Sequence, residues 1–146
     1  MIPSYLYDLI KQFEGLRLKS YRDTVGVLTI GYGTTGPFVH PNQTITVNQA
    51  EAFLAHDVEA IWNAISQHTS RPLKANEQAA MTSFAYNLGL SALFGSTLWK
   101  LAMKNSPAAA SEFPKWVHAA GIVLPGLVAR RNAEMKMYEG INIDTN

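Results

Sequence analysis

The chain contains no cysteine, which excludes disulfide staples and any thiolate nucleophile or ligand. It also lacks an excess of either charge: 12 Lys and Arg face 11 Asp and Glu, a net of +1. So weak a field gives no pull toward nucleic acid or an anionic membrane, and neither is expected as a partner. Long apolar runs are missing as well. The opening stretch MIPSYLYDLIKQF is broken early by Asp8, so it reads as neither a signal peptide nor a membrane anchor. The protein is expected to accumulate where it is made. His40, His56, His68 and His118 are scattered, with no HExxH and no cysteine partners, so no metal site and no other cofactor is expected. Repeats and low-complexity segments are absent. What is present is ordinary: 47% hydrophobic and 16% charged residues over 146 positions. That is enough apolar material for a core within one domain, or within two lobes that share one.

The informative stretch is Glu14 to Gly36, EGLRLKSYRDTVGVLTIGYGTTG. Before it, Leu6, Leu9, Ile10 and Phe13 fall on one helical stripe, which puts Glu14 at the end of an amphipathic helix. From Leu18 onward the pattern turns strand-like, with Tyr21, Val25, Val27, Leu28 and Ile30 set among turn-forming Asp and Gly. A helix end facing a small sheet is a cleft geometry, and two carboxylates across a cleft suit glycoside cleavage. One donates a proton to the leaving oxygen, and the other serves as base, nucleophile or stabiliser of an oxocarbenium-like centre. Glu14, beside apolar side chains, is suited to the first role and Asp23, in a polar turn, to the second. The Thr29 hydroxyl can orient a water. Taken by themselves, a Glu at a helix end and an Asp in a turn also fit solvated structure.

The arrangement of Glu14, Asp23 and Thr29 with TIGYG closely resembles the phage-type lysozymes, the endolysins of glycoside hydrolase family 24. The likeness continues in PLKANEQAAMTSFAYNLG (72–89), GSTLWKL (95–101) and AAASEFPKWVHAAGIVLPGLVARRNAE (108–134). The resemblance implies that Glu14 is the proton donor, Asp23 the second catalytic carboxylate, and Thr29 a holder of the attacking water, with inversion at the anomeric carbon. It also implies Tyr32, Tyr86 and Asn87 as substrate-cleft groups. The LPG-x-x-x-RR block implies that Arg130 or Arg131 supports Glu14. Many members carry His after the GYG-like glycines where this chain has Thr34, which leaves one local contact open.

The fold implied is α+β and lysozyme-like, mostly helical, with a small antiparallel sheet lobe beside a helical lobe and a cleft between them. Residues 1–146 would form a single catalytic domain. Its parts would be a small lobe at about 15–46, a linking helix at about 47–65, and a helical lobe at about 70–140 together with the N-terminal helix. The substrate implied is bacterial peptidoglycan, cut at the β-1,4 bond between N-acetylmuramic acid and N-acetylglucosamine so that the host cell lyses. A monomer is expected, held in the host cytoplasm with no stable membrane anchor until a separate holin-type protein releases it to the wall.

Local signals refine the helical part. Thr46 with Gln49 is a capping-box start, followed by Val47, Ala50, Leu54, Val58, Ile61 and Ile65 at helical spacing. A helix over about 75–88 ends at Gly89, and Ser96 can cap another over 97–104. Ser106-Pro107 starts a further helix, which Pro114 should bend or end early. Trp116 and Val117 are expected in the core rather than as a sugar platform. The last helix, LVARRNAEMKMYE, is expected after a Leu124-Pro125-Gly126 loop and stops at Gly140. Two alternatives stay open. Tyr86 and Asn87 equally fit a core-boundary tyrosine and a helix-ending amide. The arginines equally fit a solvated face, with Arg130 near Glu134 at i, i+4.

Gly31 to Gly36 matches G-x-G-x-x-G, but Pro37 and Pro41 come where a dinucleotide site needs a helix, so the glycines read as tight turns. Rival functions are a lytic transglycosylase, which has no use for water-handling Asp23 and Thr29, and a non-catalytic wall-binding module, which would not depend on Glu14.

Overall fold

The computed structural model describes residues 1–141. The expected domain runs to 146, and 142–146 lie outside the described residues. Helix α1 (Ser4–Glu14) buries Leu6, Leu9 and Ile10, with Phe13 packed at the edge of the core, as the stripe predicts. It stops because Gly15 adopts φ +72°, so Glu14 is its last residue and projects from the helix end.

Strands β1 (Arg17–Arg22) and β2 (Leu28–Gly31) pair antiparallel, with Tyr21 opposite Thr29 and Arg22 opposite Leu28. The turn between them is built by Asp23. Its Oδ1 accepts from the Val25 N–H at 3.0 Å and the Val27 N–H at 2.8 Å, while Gly26 at φ +88° lets the chain reverse. On the other side of β1, the Ser20 N–H donates to the Gln43 carbonyl and the Ile45 N–H to the Leu18 carbonyl, which adds a short third segment to the sheet.

Helix α2 (Val47–His68) opens with the expected capping box, the Gln49 N–H on Thr46 Oγ1 and the Thr46 N–H on Gln49 Oε1. It runs three residues beyond the predicted end at 65. The extension is held by Gln78 Nε2, which donates to Ser66 Oγ and the Trp62 carbonyl, and by His68 stacked on Phe94 at 4.1 Å. These are tertiary contacts, invisible to periodicity.

Helix α3 (Ala75–Leu88) is the central post of the helical lobe. Every residue from Glu77 to Ala85 is buried, because α1, α2 and the last helix pack around it. After it come α4 (Leu90–Phe94) and α5 (Thr97–Met103), the latter capped by Ser96 Oγ accepting from the Trp99 N–H at 3.0 Å. Pro107 to Lys115 forms a 3₁₀ helix that carries Pro114 next to its last residue. The expected break is thus deferred to the helix end, where Phe113 is pinned in the core.

Two elements were not anticipated. One is α4. The other is a hairpin of β3 (His118–Ala119) and β4 (Ile122–Val123), turned by Ala120 at φ +52° and Gly121 at φ +78°. The final helix, α6 (Pro125–Glu139), begins at Pro125, in the stretch expected to be loop, since proline at the first position forfeits no needed donor. Gly140 ends it in the left-handed region.

Trp116 corrects an expectation. It is 36% exposed, standing edge-on to Phe84 at 5.3 Å rather than inside the core.

Candidate active site

Glu14 from α1, Asp23 from the β1–β2 turn, Thr29 from β2, and Tyr86 and Asn87 from the end of α3 line one cavity of about 300 Å³, with Tyr21, Gly33 and Thr35. Residues apart in sequence meet there because Gly15 ends α1 at the sheet and Gly89 ends α3 beside it. Asp23 spends Oδ1 on the turn, which leaves Oδ2 outside those hydrogen bonds. Thr29 is buried and its hydroxyl donates to the Val27 carbonyl at 2.9 Å, so its lone pairs remain for another donor.

Glu14 is held from two sides. Arg130 Nη1 donates to Oε2 at 2.6 Å. Oε1 faces Gly33, where a Cβ would lie 2.5 Å away. Gly33 sits at φ +78° in a turn closed by reciprocal Ile30–Thr34 backbone bonds of 2.9 and 2.8 Å. Both space and backbone demand glycine here. Gly33→Ala is therefore expected to cost about 1–2 kcal/mol of stability from the left-handed conformation. The added methyl would also push the Glu14 carboxylate aside. Thermal unfolding would read the cost, and an unchanged Tm would show that this position does not require glycine.

Of the two arginines it is Arg130 that reaches Glu14, and neither lies on a solvated face: Arg130 is 3% exposed and Arg131 0%. Arg130 also lies 3.4 Å from Glu134 Oε2, and its Nη2 donates to the Ser83 carbonyl at 3.2 Å. Arg131 Nη1 stands 3.0 Å from Glu134 Oε1, and its Nη2 donates to Asn87 Oδ1. Glu134, offered by the sequence only as a partner of Arg130 on a solvated face, is the hub of this cluster and wholly buried. Burial drives its carboxyl upward, while the two guanidiniums and the Ser83 hydroxyl, which donates to it at 2.5 Å, hold the anion. Its only signal in the sequence is the i, i+3 and i, i+4 spacing to Arg131 and Arg130, which solvated helices share.

Tyr86 lines the cavity, but its hydroxyl is committed to the Tyr32 carbonyl at 2.5 Å, tying α3 to the Gly33 turn. Burial and the nearby Glu14 and Asp57 charges push that hydroxyl further up. Tyr32, expected at the cleft, is instead buried in the core with its hydroxyl donating to Glu51 at 3.3 Å. Tyr32 lies in the turn between Ile30 and Thr34, which carries its ring toward Glu51 of α2 while Gly33 faces Glu14.

Behind the turn, Gly33, Thr35 and Tyr86 also line a cavity of about 250 Å³ with Asp57, Ala60 and Ile61 of α2. Burial raises the Asp57 carboxyl, against the weaker pull of Thr34 and His56. An acid raised on folding favours the folded state below its unfolded value and loses that contribution as pH rises through the folded value. Asp57→Asn is thus expected to raise Tm at neutral pH, with the gain vanishing near about pH 3. A gain equal at both pH values would show that charge is not its cause.

Among the described residues no group of His, Asp and Glu is arranged to hold a metal, and no helix is long and apolar enough to cross a membrane.

The family model for phage lysozyme matches residues 11–134. The chain belongs to the phage lysozyme family. It is 42% identical over 134 residues to the endolysin of Bacillus phage PZA, covering 90% of this chain and 52% of that protein. The chain thus spans about half the length of the Bacillus phage relatives it matches. Among solved structures, the endolysin from Escherichia coli O157:H7 phage FAHEc1 superposes with a TM-score of 0.85 at 32% identity, over 99% of this chain and 97% of that one. The muramidase domain of SpmX from Asticaccaulis excentricus gives 0.86 at 29% identity, over 94% and 97%. These phage-lysozyme folds share the α+β architecture, mostly helical with a small antiparallel sheet, that the sequence implied.

Proposed function

We propose that this chain is an endolysin that hydrolyses the β-1,4 bond between N-acetylmuramic acid and N-acetylglucosamine in bacterial peptidoglycan and so lyses the host cell. The observation that carries the reading is the convergence of Glu14, Asp23 and Thr29 on one cavity from three separate elements. Membership of the phage lysozyme family and the muramidase named among its structural neighbours support it.

Glu14 protonates the leaving oxygen. Because Arg130 occupies Oε2, the transferable proton belongs on Oε1, the oxygen beside Gly33. Asp23 stabilises positive charge at the anomeric carbon or assists a water on the opposite face, and Thr29 positions that water, which gives inversion. The whole chain, 1–146, acts as a single catalytic domain. It works as a monomer, with no nucleic acid partner, and reaches the wall from the host cytoplasm when a separate holin-type protein opens the membrane.

The test is mass spectrometry of muropeptides released from purified peptidoglycan. Reducing ends are expected. Anhydro ends would replace the hydrolase by a transglycosylase, and no product from the folded protein on several wall types would leave a binding module.

A further inference from the structure

Glu14 and Asn87 share a distinction. Both line the 300 Å³ cavity with Asp23 and Thr29, and both line a second cavity of about 430 Å³ with Phe13, Leu124, Pro125 and Arg130. They therefore stand at the division of the cleft, where a bound chain would be cut.

Asn87 is not free to turn its amide. Arg131 donates to Oδ1, and a guanidinium has donors only, so the reversed amide would set donor against donor. Arg131 itself cannot move. It is fully buried, its guanidinium lies over the Phe84 ring at 5.1 Å, and Glu134 flanks it at 3.0 Å. Among the described residues its one hydrogen bond is to Asn87, and Asn87 Nδ2 has no partner among them. A buried cation is a costly way to fill a core, since an apolar residue of similar size would serve stability as well or better.

We propose that Arg131 is a positioning residue that locks Asn87 with its NH₂ toward the cleft. There Asn87 donates to the acetamido carbonyl of an N-acetylated sugar at the point of cleavage, and so makes N-acetylation a requirement of the substrate. A sugar hydroxyl can meet a donor or an acceptor and would not need this orientation. A carbonyl can only accept, so a fixed donor discriminates for it. The inference rests on the muramidase reading above.

The experiment measures kcat/KM on peptide-free glycan strands, N-acetylated and de-N-acetylated, for wild type, Asn87→Asp, Asn87→Ala, Arg131→Met and the Asn87→Ala/Arg131→Met double variant. Wild type should prefer acetylated strands, and Asn87→Asp, which keeps a partner for Arg131 but offers an acceptor, should narrow that preference at least about tenfold. Arg131→Met should narrow it too, and the double variant should be no less selective than Asn87→Ala alone. A purely structural role would lower both rates together and leave the ratio unmoved. An unchanged ratio in folded Asn87→Asp, with wild type active, overturns this inference alone and stands even if Arg131→Met fails to fold. Inactive wild type sinks the muramidase reading and this inference with it. When the series is repeated on strands that retain their peptides, a penalty confined to those strands would transfer the carbonyl to the peptide and overturn the acetamido assignment.

Discussion

Glu14→Gln is expected to lower kcat on peptidoglycan by about 10²–10⁴-fold with KM little changed, because it removes the proposed transferable proton and keeps the shape. Arg130 makes this variant informative. The glutamine carbonyl can still accept from Nη1, and Arg130 keeps Glu134 and the Ser83 carbonyl as partners, so the helix end and the core beneath it stay in place. Steady-state rates beside a thermal melt would read both quantities. A loss smaller than tenfold in a folded variant would remove Glu14 from the role of acid and leave the cleft as a binding groove.

The largest effect on stability should come from Glu134→Ala. Glu134 is the common anion of Arg130 and Arg131, all three buried, and its removal leaves Glu14 at the cleft edge as the remaining carboxylate of the cluster. Stripping the partner from buried charges costs about 3–5 kcal/mol. For a chain of this length that corresponds to a fall in Tm on the order of 10 °C. Activity of the surviving folded fraction should fall as well, since Arg130 would lose one of its two anchors near Glu14. Urea unfolding gives the comparison, and a cost under about 1 kcal/mol would mean that the cluster is held by packing alone.

Several parts of this protein could be read from order and pattern. The α1 stripe, the Thr46–Gln49 cap and the strand-like run after Leu18 are local features, governed by periodicity and by residues a few positions apart, and each appears where it was expected. The hairpin at 118–123 escaped because Ala120 occupies a left-handed position where Asn or Asp would have announced the turn. Trp116 escaped because an aromatic residue does not say which of its faces is covered.

By itself the sequence determined α1, α2, α3 and the strand-like run of β1 and β2, the absence of cysteine chemistry, and the candidate set of Glu14, Asp23 and Thr29, since these rest on short-range chemistry and spacing. Only the tertiary structure decided which arginine meets Glu14, that Tyr32 turns into the core, and that Glu134 is a buried hub. The outcomes for the arginines and Glu134 depend on how α6 is rotated against α1 and α3, and that for Tyr32 on how its turn packs against α2. A rotation of one helix about its axis exchanges a solvated face for a buried one, and nothing in the local pattern of α6 specifies it: its apolar residues are too evenly spread around the helix to point to the core.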